Sequence, residues 1–444
     1  MKILITNTVA LNGGDAAILL SIVDILCREF GDDTEFIIYD SKPDIASRYY
    51  PQLTWRKLIF LRITELNSIK SLEQILIKQI WYKISSFWYL KIKPFLFYLA
   101  AWCQVNRLKF ISKIVLNKEE LQDLYNYSSA DLIVSTGGTY LVENYPLNPR
   151  IFDYQISLLM KRPLIFYTQS LGPFLNPKIR NQLRNIFNQS LLILLRDDLS
   201  FRYLEEIGVD KNKVHVSSDI VFSFKSQREP LRKEIFSSYP KNSPLKIAIS
   251  VRYWNKFKTI SIELGMNNFR SAMCAVTKYL VEQHNAEIIY LSTCQGIPEY
   301  WTDDSKFATE IYNLLPDSIQ KKVTVNNNFH HPQNLVEMLT SYDLVIGTRM
   351  HMCILSLAAG IPVFPIAYEF KTKELFSRLG MSEWVQDIET INQMSLINSI
   401  EKFLNSLPQL KHDLMLEVEK EKERAVRSSF LVRESLEKWQ QKYL

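Results

Sequence analysis

Short apolar runs that end in small or polar residues recur along the chain, and helix-like stretches separate them. Such runs do not alternate between apolar and polar residues, so they are typical of parallel strands buried on both faces. A stretch rich in Pro, Ser and charge divides them into two sets. The first set comprises 2–7, 34–40, 131–138, 163–172 and 191–197, and the second comprises 246–252, 286–293, 322–327, 343–348 and 361–367. The pattern predicts an α/β fold with two Rossmann-like domains.

The length of the chain also indicates two domains. Its 444 residues are more than a single hydrophobic core usually holds. The predicted boundaries are 1–224 for the N-terminal domain, 225–245 for a linker, 246–390 for the C-terminal domain, and 391–444 for C-terminal helices. Two Rossmann-like halves of similar size facing a cleft are typical of a GT-B-like architecture, which is the predicted fold.

A basic and aromatic insert, predicted to be helical, occupies about 55–128 of the N-terminal domain. Between Arg56 and Lys118 the sequence has twelve Lys or Arg residues and only two acids, Glu65 and Glu73. The longest uncharged run, at 94–106, is well short of the roughly 20 residues that span a bilayer. Two interpretations stay open: the insert lies on a membrane surface, or its helices only pack on the domain.

The cysteines and the N-terminal residues favour a cytoplasmic location, and membrane contact through the insert would make the protein peripheral on the inner face of the plasma membrane. The five cysteines are odd in number, widely spaced and without a C-x-x-C pair, which argues against disulfides and structural zinc. No basic and apolar signal-like segment begins the sequence. The basic residues lie in an apolar block without a recognised motif, so nucleic acid is not an expected partner.

The segment 347–351 combines an anion-binding position with two side chains suited to chemistry. An apolar strand delivers Arg349 to the start of a helix, where free N–H groups and a positive partial charge favour anions. The guanidinium adds a forked donor for carboxylate or phosphate, and His351 can exchange a proton near neutral pH. Both can reach one ligand only if the turn before the helix is not yet helical. The alternative is a structural ion pair between Arg349 and an aspartate, with His351 in the core.

A second arginine also follows a buried strand. Arg196 can hold the other end of an anionic ligand, or it can form a structural ion pair with Asp197 or Asp219. Asp197 and Ser200 are predicted to cap the helix that begins there.

Gly-rich loops follow other strands. In the first loop, Asn12 to Asp15, the glycines Gly13 and Gly14 would let backbone amides approach a ligand. The Asp15 carboxylate could accept a proton or bind a sugar hydroxyl, or it could only cap the helix. The loop lacks the spacing of the dinucleotide-binding fingerprint. Loops at 136–139 and 169–173 are predicted to line the cleft.

Taken in order, these segments resemble the polysaccharide pyruvyl transferase family. The matching features are N-x-G-D-x-A from Asn12, a Gly-Gly pair at Gly137 and Gly138, Q-S-L-G-P from Gln169, R-D-x-x-S-x-x-x-L from Arg196, S-D at Asp219, G-x-R-x-H from Gly347, G-x-P from Gly360, and Y-x-x-K from Tyr368 to Lys371. One departure is Thr136, where the family often has a third glycine. The resemblance covers most of the chain apart from the insert and the C-terminal tail.

The resemblance implies a GT-B-like fold with phosphoenolpyruvate as the donor, bound in the C-terminal domain. It implies that Arg196 and Arg349 hold the carboxylate and phosphate, and that His351 lies near the phosphate or enol oxygen. We assign catalysis to His351, Arg349 and Asp15. The expected substrate-binding residues are Arg196, Arg349, Met350, His351, Asn12, Gly13, Gly14, Gly138, Gln169 and Lys371.

The expected reaction moves the enolpyruvyl group onto two hydroxyls of a sugar, in a polysaccharide or its lipid-linked precursor. It forms a cyclic pyruvate ketal, releases phosphate, and needs no metal and no cofactor beyond phosphoenolpyruvate as co-substrate. Two alternatives remain: a GT-B nucleotide-sugar glycosyltransferase, and a non-catalytic, membrane-docked scaffold in polysaccharide assembly.

Overall fold

A computed structural model describes residues 1–65, 88–226 and 244–443 of the chain. The described residues form two parallel β-sheets, and helices connect most of the successive strands. They divide into two compact units. Unit 1 comprises Met1–Ala10, Ile22–Ser217 and Ser428–Leu444, and unit 2 comprises Leu11–Ser21 and Ser218–Arg427.

The sheet of unit 1 has the strand order β3-β2-β1-β4-β6-β7-β8, with β5 paired to β6. Its strands are β1 Lys2–Thr8, β2 Glu35–Asp40, β3 Thr54–Lys57, β4 Leu132–Ser135, β5 Gly138–Leu141, β6 Leu164–Leu171, β7 Leu192–Leu195 and β8 Val214–Val216. The central strands β4, β6 and β7 are buried along their whole length. This burial explains the apolar runs with which β4 and β6 begin and the wholly apolar sequence of β7.

The sheet of unit 2 has the order β11-β10-β9-β12-β13-β14. Its strands are β9 Lys246–Ser250, β10 Glu287–Tyr290, β11 Val323–Val325, β12 Leu344–Gly347, β13 Val363–Ala367 and β14 Gln386–Asp387. The chain runs outward from β9 to β11 and then returns to the other side of β9 at β12. The strand order therefore reverses between β9 and β12, and in open parallel sheets ligands bind beyond the strand ends at such a point.

Helices connect most successive strands, as predicted, but β5 follows β4 directly and several helices in succession separate β3 from β4. In chain order they are α1 Gly13–Phe30, α2 Pro43–Tyr49, α3 Ile59–Thr64, α4 Lys93–Val105, α5 Lys109–Val115, α6 Lys118–Ser129, α7 Asn148–Leu159, α8 Pro177–Gln189, α9 Asp198–Glu206, α10 Ile262–His284, α11 Asp304–Asn313, α12 Asp317–Gln320, α13 Pro332–Leu339, α14 Met350–Ala358, α15 Phe370–Arg378 and α16 Gln393–Tyr443. Nowhere in 1–65, 88–226 or 244–443 does a helix have both the length and the apolar character needed to cross a bilayer.

The unit boundaries differ from the predicted domain boundaries. Residues 11–21 belong to the second unit, and the first boundary lies at 217/218 rather than 224/225. The predicted C-terminal helices are one helix, α16, which contains Pro408 and whose last residues belong to unit 1. Apart from its two ends, the predicted linker lies outside the described residues.

The predicted insert is helical in its described part except where it begins, because residues 55–57 belong to β3. Residues 66–87 lie outside the described residues. Helix α4 buries Phe97, Ala100 and Ala101 in the core of unit 1, and the Phe97 ring lies 6.1 Å from that of Phe152. The described part of the insert therefore packs on its domain through one face.

Candidate functional site

The predicted Arg349–His351 motif lies beyond the end of β12, where the order of the second sheet reverses. Arg349 is the N-cap of α14 and has an extended backbone (φ −79°, ψ 122°), so the helix begins only at Met350. The turn at Arg349 is therefore not helical, which was the condition for Arg349 and His351 to reach one ligand. Met350 is buried.

Arg349 is held by a buried aspartate that the sequence analysis did not identify. Its Nε and Nη2 atoms donate to the two carboxylate oxygens of Asp304, each over 2.7 Å. Ser292 donates a further hydrogen bond of 2.5 Å to the same carboxylate. Burial opposes the charge on Arg349, but Asp304 outweighs it and raises the guanidinium pKa. The Nη1 group donates to none of the described residues, so one edge of the fork remains for a ligand.

His351 is the second residue of α14 and is fixed from two sides. Its Nε2 atom lies 3.4 Å from Oδ2 of Asp219, whose other oxygen accepts a hydrogen bond from the Val221 amide. On the other side, the ring packs against Gly14, where a β-carbon would lie 2.5 Å from Nδ1. Glycine is therefore required at position 14, because any side chain would displace the imidazole.

The loop that contains Gly14 begins α1 and belongs to unit 2. The Asn12 side chain accepts a hydrogen bond from the Gly14 amide (3.0 Å) and so fills the capping position that was considered for Asp15. A β-carbon on Gly13 would lie 2.0 Å from the Thr293 carbonyl oxygen, so this position also needs glycine. Asp15 lies in the first turn of α1 and, after burial, is the main cause of the raised pKa of Tyr300.

Arg196 lies in unit 1, beyond the end of β7. It is buried, and it donates from Nε to Ser170 Oγ (2.7 Å) and from Nη2 to Thr139 Oγ1 (2.9 Å). Asp197 caps α9 by accepting a hydrogen bond from the Ser200 amide, as predicted. The prediction for Ser200 is wrong, because Ser200 lies within the helix and its Oγ accepts from the Leu171 amide. The hydroxyls of Thr139 and Ser170 thus orient the Arg196 guanidinium at the end of its strand.

The remaining predicted residues have mainly structural contacts. Gln169 is buried and donates to the Thr136 carbonyl, so it holds the loop after β4. Gly138 begins β5 with φ +131°, a backbone conformation that L side chains rarely adopt. Lys371 on α15 forms an ion pair of 2.9 Å with Glu369.

The predicted residues thus fall into two groups. Arg196, Gly138 and Gln169 lie in unit 1, and the others lie in unit 2. Asp304 was not predicted as a site residue, because the residues around it indicate only the start of a helix. Asp219 was noted only as part of a motif and as a possible partner of Arg196. No cluster of three or more potential metal ligands occurs among the described residues.

Comparisons with known proteins agree with this architecture. The chain is 25% identical over 427 residues to the amylovoran biosynthesis protein AmsJ of Erwinia amylovora, covering 95% of this chain and 96% of that protein. Among solved structures, a putative UDP-N-acetylglucosamine 2-epimerase from Listeria monocytogenes superposes with a TM-score of 0.56 at 11% identity, covering 98% of this chain and 97% of the other. Alr3699/HepE of Anabaena, in complex with UDP-glucose, superposes with a TM-score of 0.52 at 13% identity, covering 99% of this chain and 100% of the other.

At such low identity the two solved structures establish the fold alone, and that fold is GT-B-like. The sequence profile described as polysaccharide pyruvyl transferase matches residues 12–369, from the first loop to the start of α15. Because this match spans most of the 444 residues, the chain belongs to the polysaccharide pyruvyl transferase family.

Proposed function

We propose that the protein transfers the enolpyruvyl group of phosphoenolpyruvate onto two hydroxyls of a sugar, forming a cyclic pyruvate ketal and releasing phosphate. The acceptor is a polysaccharide or its lipid-linked precursor. The family match over 12–369 carries the proposal. Similarity to an amylovoran biosynthesis protein supports a role in making an exopolysaccharide.

The arrangement around α14 supports the donor. Phosphoenolpyruvate carries about three negative charges near neutral pH, and the free amides at the start of a helix favour an anion. The Nη1 edge of Arg349 adds a charged donor that Asp304 holds in place. In this proposal Arg349 binds one anionic group of phosphoenolpyruvate.

His351 is proposed to move the protons. Protonation of the methylene carbon converts it to a methyl group and leaves an oxocarbenium-like centre at C2. One sugar hydroxyl adds to C2 and loses its proton, phosphate leaves, and a second hydroxyl closes the ring and loses its proton. An imidazole can give and accept protons near neutral pH, and the Asp219 carboxylate faces its Nε2 atom. Asp15 is proposed to contact the acceptor hydroxyls.

The direct test is to incubate the protein with phosphoenolpyruvate and a glycan extract. We expect mass spectrometry to find pyruvate ketal on a glycan, with stoichiometric release of phosphate. His351→Asn should lower the rate at least about 100-fold, the scale of a lost general acid or base. His412→Asn, an exposed histidine on α16, is the matched control. Folded His351→Asn protein with the wild-type rate would disprove the assignment.

Arg349→Ala should have a similar effect, but it leaves the Asp304 carboxylate buried and unpaired. Arg349→Lys keeps a positive charge beside Asp304 but loses the forked guanidinium. It should therefore stay folded, so that a lower rate reports on catalysis and not on folding. Calorimetry with phosphoenolpyruvate and with UDP- and GDP-sugars distinguishes the proposed reaction from glycosyl transfer. Binding of a nucleotide sugar without binding of phosphoenolpyruvate would favour glycosyl transfer.

We further propose that α4 and α5 bring the protein to a membrane that carries its acceptor. Between residues 88 and 118 the chain has six Lys or Arg residues and no acid. Many large apolar side chains on α4, on α5 and in the residues next to them are exposed. They are Trp88, Leu90, Phe95, Tyr98, Trp102, Leu108, Phe110 and Ile114, interspersed with the exposed cations Lys91, Arg107, Lys109 and Lys113.

Aromatic residues suit the bilayer interface and Lys suits anionic head groups, so the occupant proposed for this surface is an anionic bilayer. Flotation with anionic vesicles should carry the protein upward, and vesicles of zwitterionic lipid should carry less. A Phe110→Ser/Ile114→Ser variant should lose flotation, whereas Leu175→Ser, equally exposed elsewhere in unit 1, should not. Wild-type protein that stays entirely unbound would disprove the membrane proposal.

A further inference from the structure

Several buried polar side chains lack partners beyond β9 and β12, where the order of the second sheet reverses. The Ser250 and Thr348 hydroxyls, Nε of Arg252 and Nε1 of Trp254 are all buried, and none forms a hydrogen bond to a described residue. Ser250 is paired with Gly347 in the sheet, so these residues follow two adjacent parallel strand ends. Buried polar groups are nearly always satisfied, and a ligand or water at this edge would satisfy them.

Arg252 is the charged member of this set. Its guanidinium carbon lies 4.5 Å from the ring centre of Tyr368 and 5.2 Å from that of Trp254, and the two ring centres are 4.6 Å apart. The rings hold the guanidinium by cation–π contact and restrict its motion. The two aromatic rings thus hold Arg252 in place.

Arg252 and Arg349 differ in whether a carboxylate neutralises their charge. Both oxygens of Asp304 neutralise Arg349. Among the described residues, Arg252 has no ion-pair partner within 4 Å. It does act on Glu369: burial opposes ionisation of this carboxyl, but Lys371, Arg252 and Lys256 together lower its pKa. Glu369 is already paired with Lys371 at 2.9 Å, so the charge of Arg252 remains available to a ligand.

We infer that Arg252, which lies beside Trp254 and Tyr368, binds an anionic group of the substrate, a carboxylate or a phosphate, at the end of β9. The Nε1 group of Trp254 is a neutral donor beside it. The identity of the anion as part of phosphoenolpyruvate rests on the proposed function. The anion site itself rests on a cation that has no ion-pair partner among the described residues and on the point where the strand order reverses.

The test is calorimetry of wild type, Arg252→Gln and Arg252→Lys with phosphoenolpyruvate, inorganic phosphate and pyruvate. Loss of a charge-assisted hydrogen bond should weaken binding of the anion that Arg252 holds by about tenfold or more, and Arg252→Lys should lose less. If the Arg252 variants lose affinity for pyruvate only, Arg252 binds the carboxylate. If they lose affinity for inorganic phosphate only, it binds the phosphate group. Arg270→Gln is the control, since Arg270 also lies over an aromatic ring, that of Phe307, but pairs with Glu310.

Tyr368→Leu provides a second variant, because it removes the ring and leaves the guanidinium. This variant should weaken binding of the same anion as the Arg252 variants do. Its thermal melting verifies that it is folded. Affinities within about twofold of wild type in all three Arg252 and Tyr368 variants would overturn the inference. So would a wild-type protein that binds none of the three anions.

These outcomes also separate the inference from the proposed function. If ketal forms normally while Arg252→Gln binds phosphoenolpyruvate like wild type, the inference fails and the function stands. If Arg252→Gln weakens phosphate or pyruvate binding but no glycan acquires pyruvate, the anion site stands and the function fails.

Discussion

At the scale of single residues, the site is organised by carboxylates that never need to touch the substrate. Asp304 accepts two hydrogen bonds from the Arg349 guanidinium and so fixes its orientation. Asp219 faces His351 and also caps the turn Ile220–Ser223. Arginine and histidine side chains have several rotamers, and these contacts favour one of them. Positioning by an outer carboxylate typically raises the efficiency of the group it orients.

Replacing Asp219 by asparagine tests this positioning role. The amide oxygen of the Asp219→Asn variant can still accept from Val221, so the turn should persist, but the negative charge opposite the imidazole is lost. We expect kcat for ketal formation to fall about tenfold or more, with a smaller change in KM for phosphoenolpyruvate. Asp210→Asn is the matched control, because Asp210 caps the turn Lys211–Lys213 in the same way on the surface. An Asp219→Asn variant with unchanged kcat would show that the carboxylate only caps the turn.

The sequence singles out Arg349 and His351 as candidates but not the residues that fix them. An arginine after an apolar strand is a local pattern, readable from about ten residues. Asp304 lies 45 positions away from Arg349, and its own neighbours indicate only the start of a helix. Arg252 was included in a predicted strand and was not singled out, because its meaning depends on Tyr368, which another strand delivers.

At the scale of helices and strands, long buried runs were predictable and short edge strands were not. Strands such as β7 are apolar throughout because they are buried on both faces. No such signal marks β8 and β14, whose residues are few and partly exposed, so pairing with a neighbouring strand defines them. The insert was predicted as helical, but only the structure shows that α4 has one face in the core of unit 1.

The packing of α7 against β1 makes unit 1 sensitive to pH. Asp153 of α7 is fully buried beside Thr6 of β1, and burial raises the pKa of its carboxyl from 3.8 to about 7, with hydrogen bonds offsetting only part of the effect. The folded state therefore binds a proton that the unfolded state releases above about pH 4. The contribution of Asp153 to the free energy of unfolding is therefore fully present below about pH 4, and it is lost as the pH rises through about 7.

Asp153→Asn should remove this loss, because the amide is neutral at every pH. We expect the melting temperature of the variant to exceed that of wild type at pH 8, by the equivalent of about 1 kcal/mol or more, and the difference to shrink toward pH 5. Asp198→Asn, at an exposed aspartate on α9, should show no such trend. A difference that is constant from pH 5 to 8 would mean that Asp153 stays charged in the folded protein.

At the scale of the whole molecule, neither compact unit is one continuous segment of sequence. The first helix begins in unit 2, and the last helix, α16, ends in unit 1. A chain of two alternating α/β sets predicts two domains, but it does not reveal such exchanges, because they depend on which surface each helix end meets. This is why the predicted tail at 391–444 was treated as a separate set of helices.

Removing residues 428–444 should therefore destabilise unit 1, although its sheet lies more than 200 positions earlier in the chain. The deletion removes the hydrogen bond between Tyr167 and Ser428 (2.8 Å), the ion pair between Arg433 and Glu29 (2.8 Å), and the buried side chain of Val432. We expect a loss of roughly 2–5 kcal/mol, the scale of a large core truncation plus a buried unpaired hydroxyl. Hydrogen exchange measured by mass spectrometry should accelerate in β6, while removal of 440–444 alone, which starts with the exposed residues 440–442, should leave it unchanged. Equal protection of β6 in both truncated proteins would mean that the end of α16 contributes nothing to the stability of unit 1.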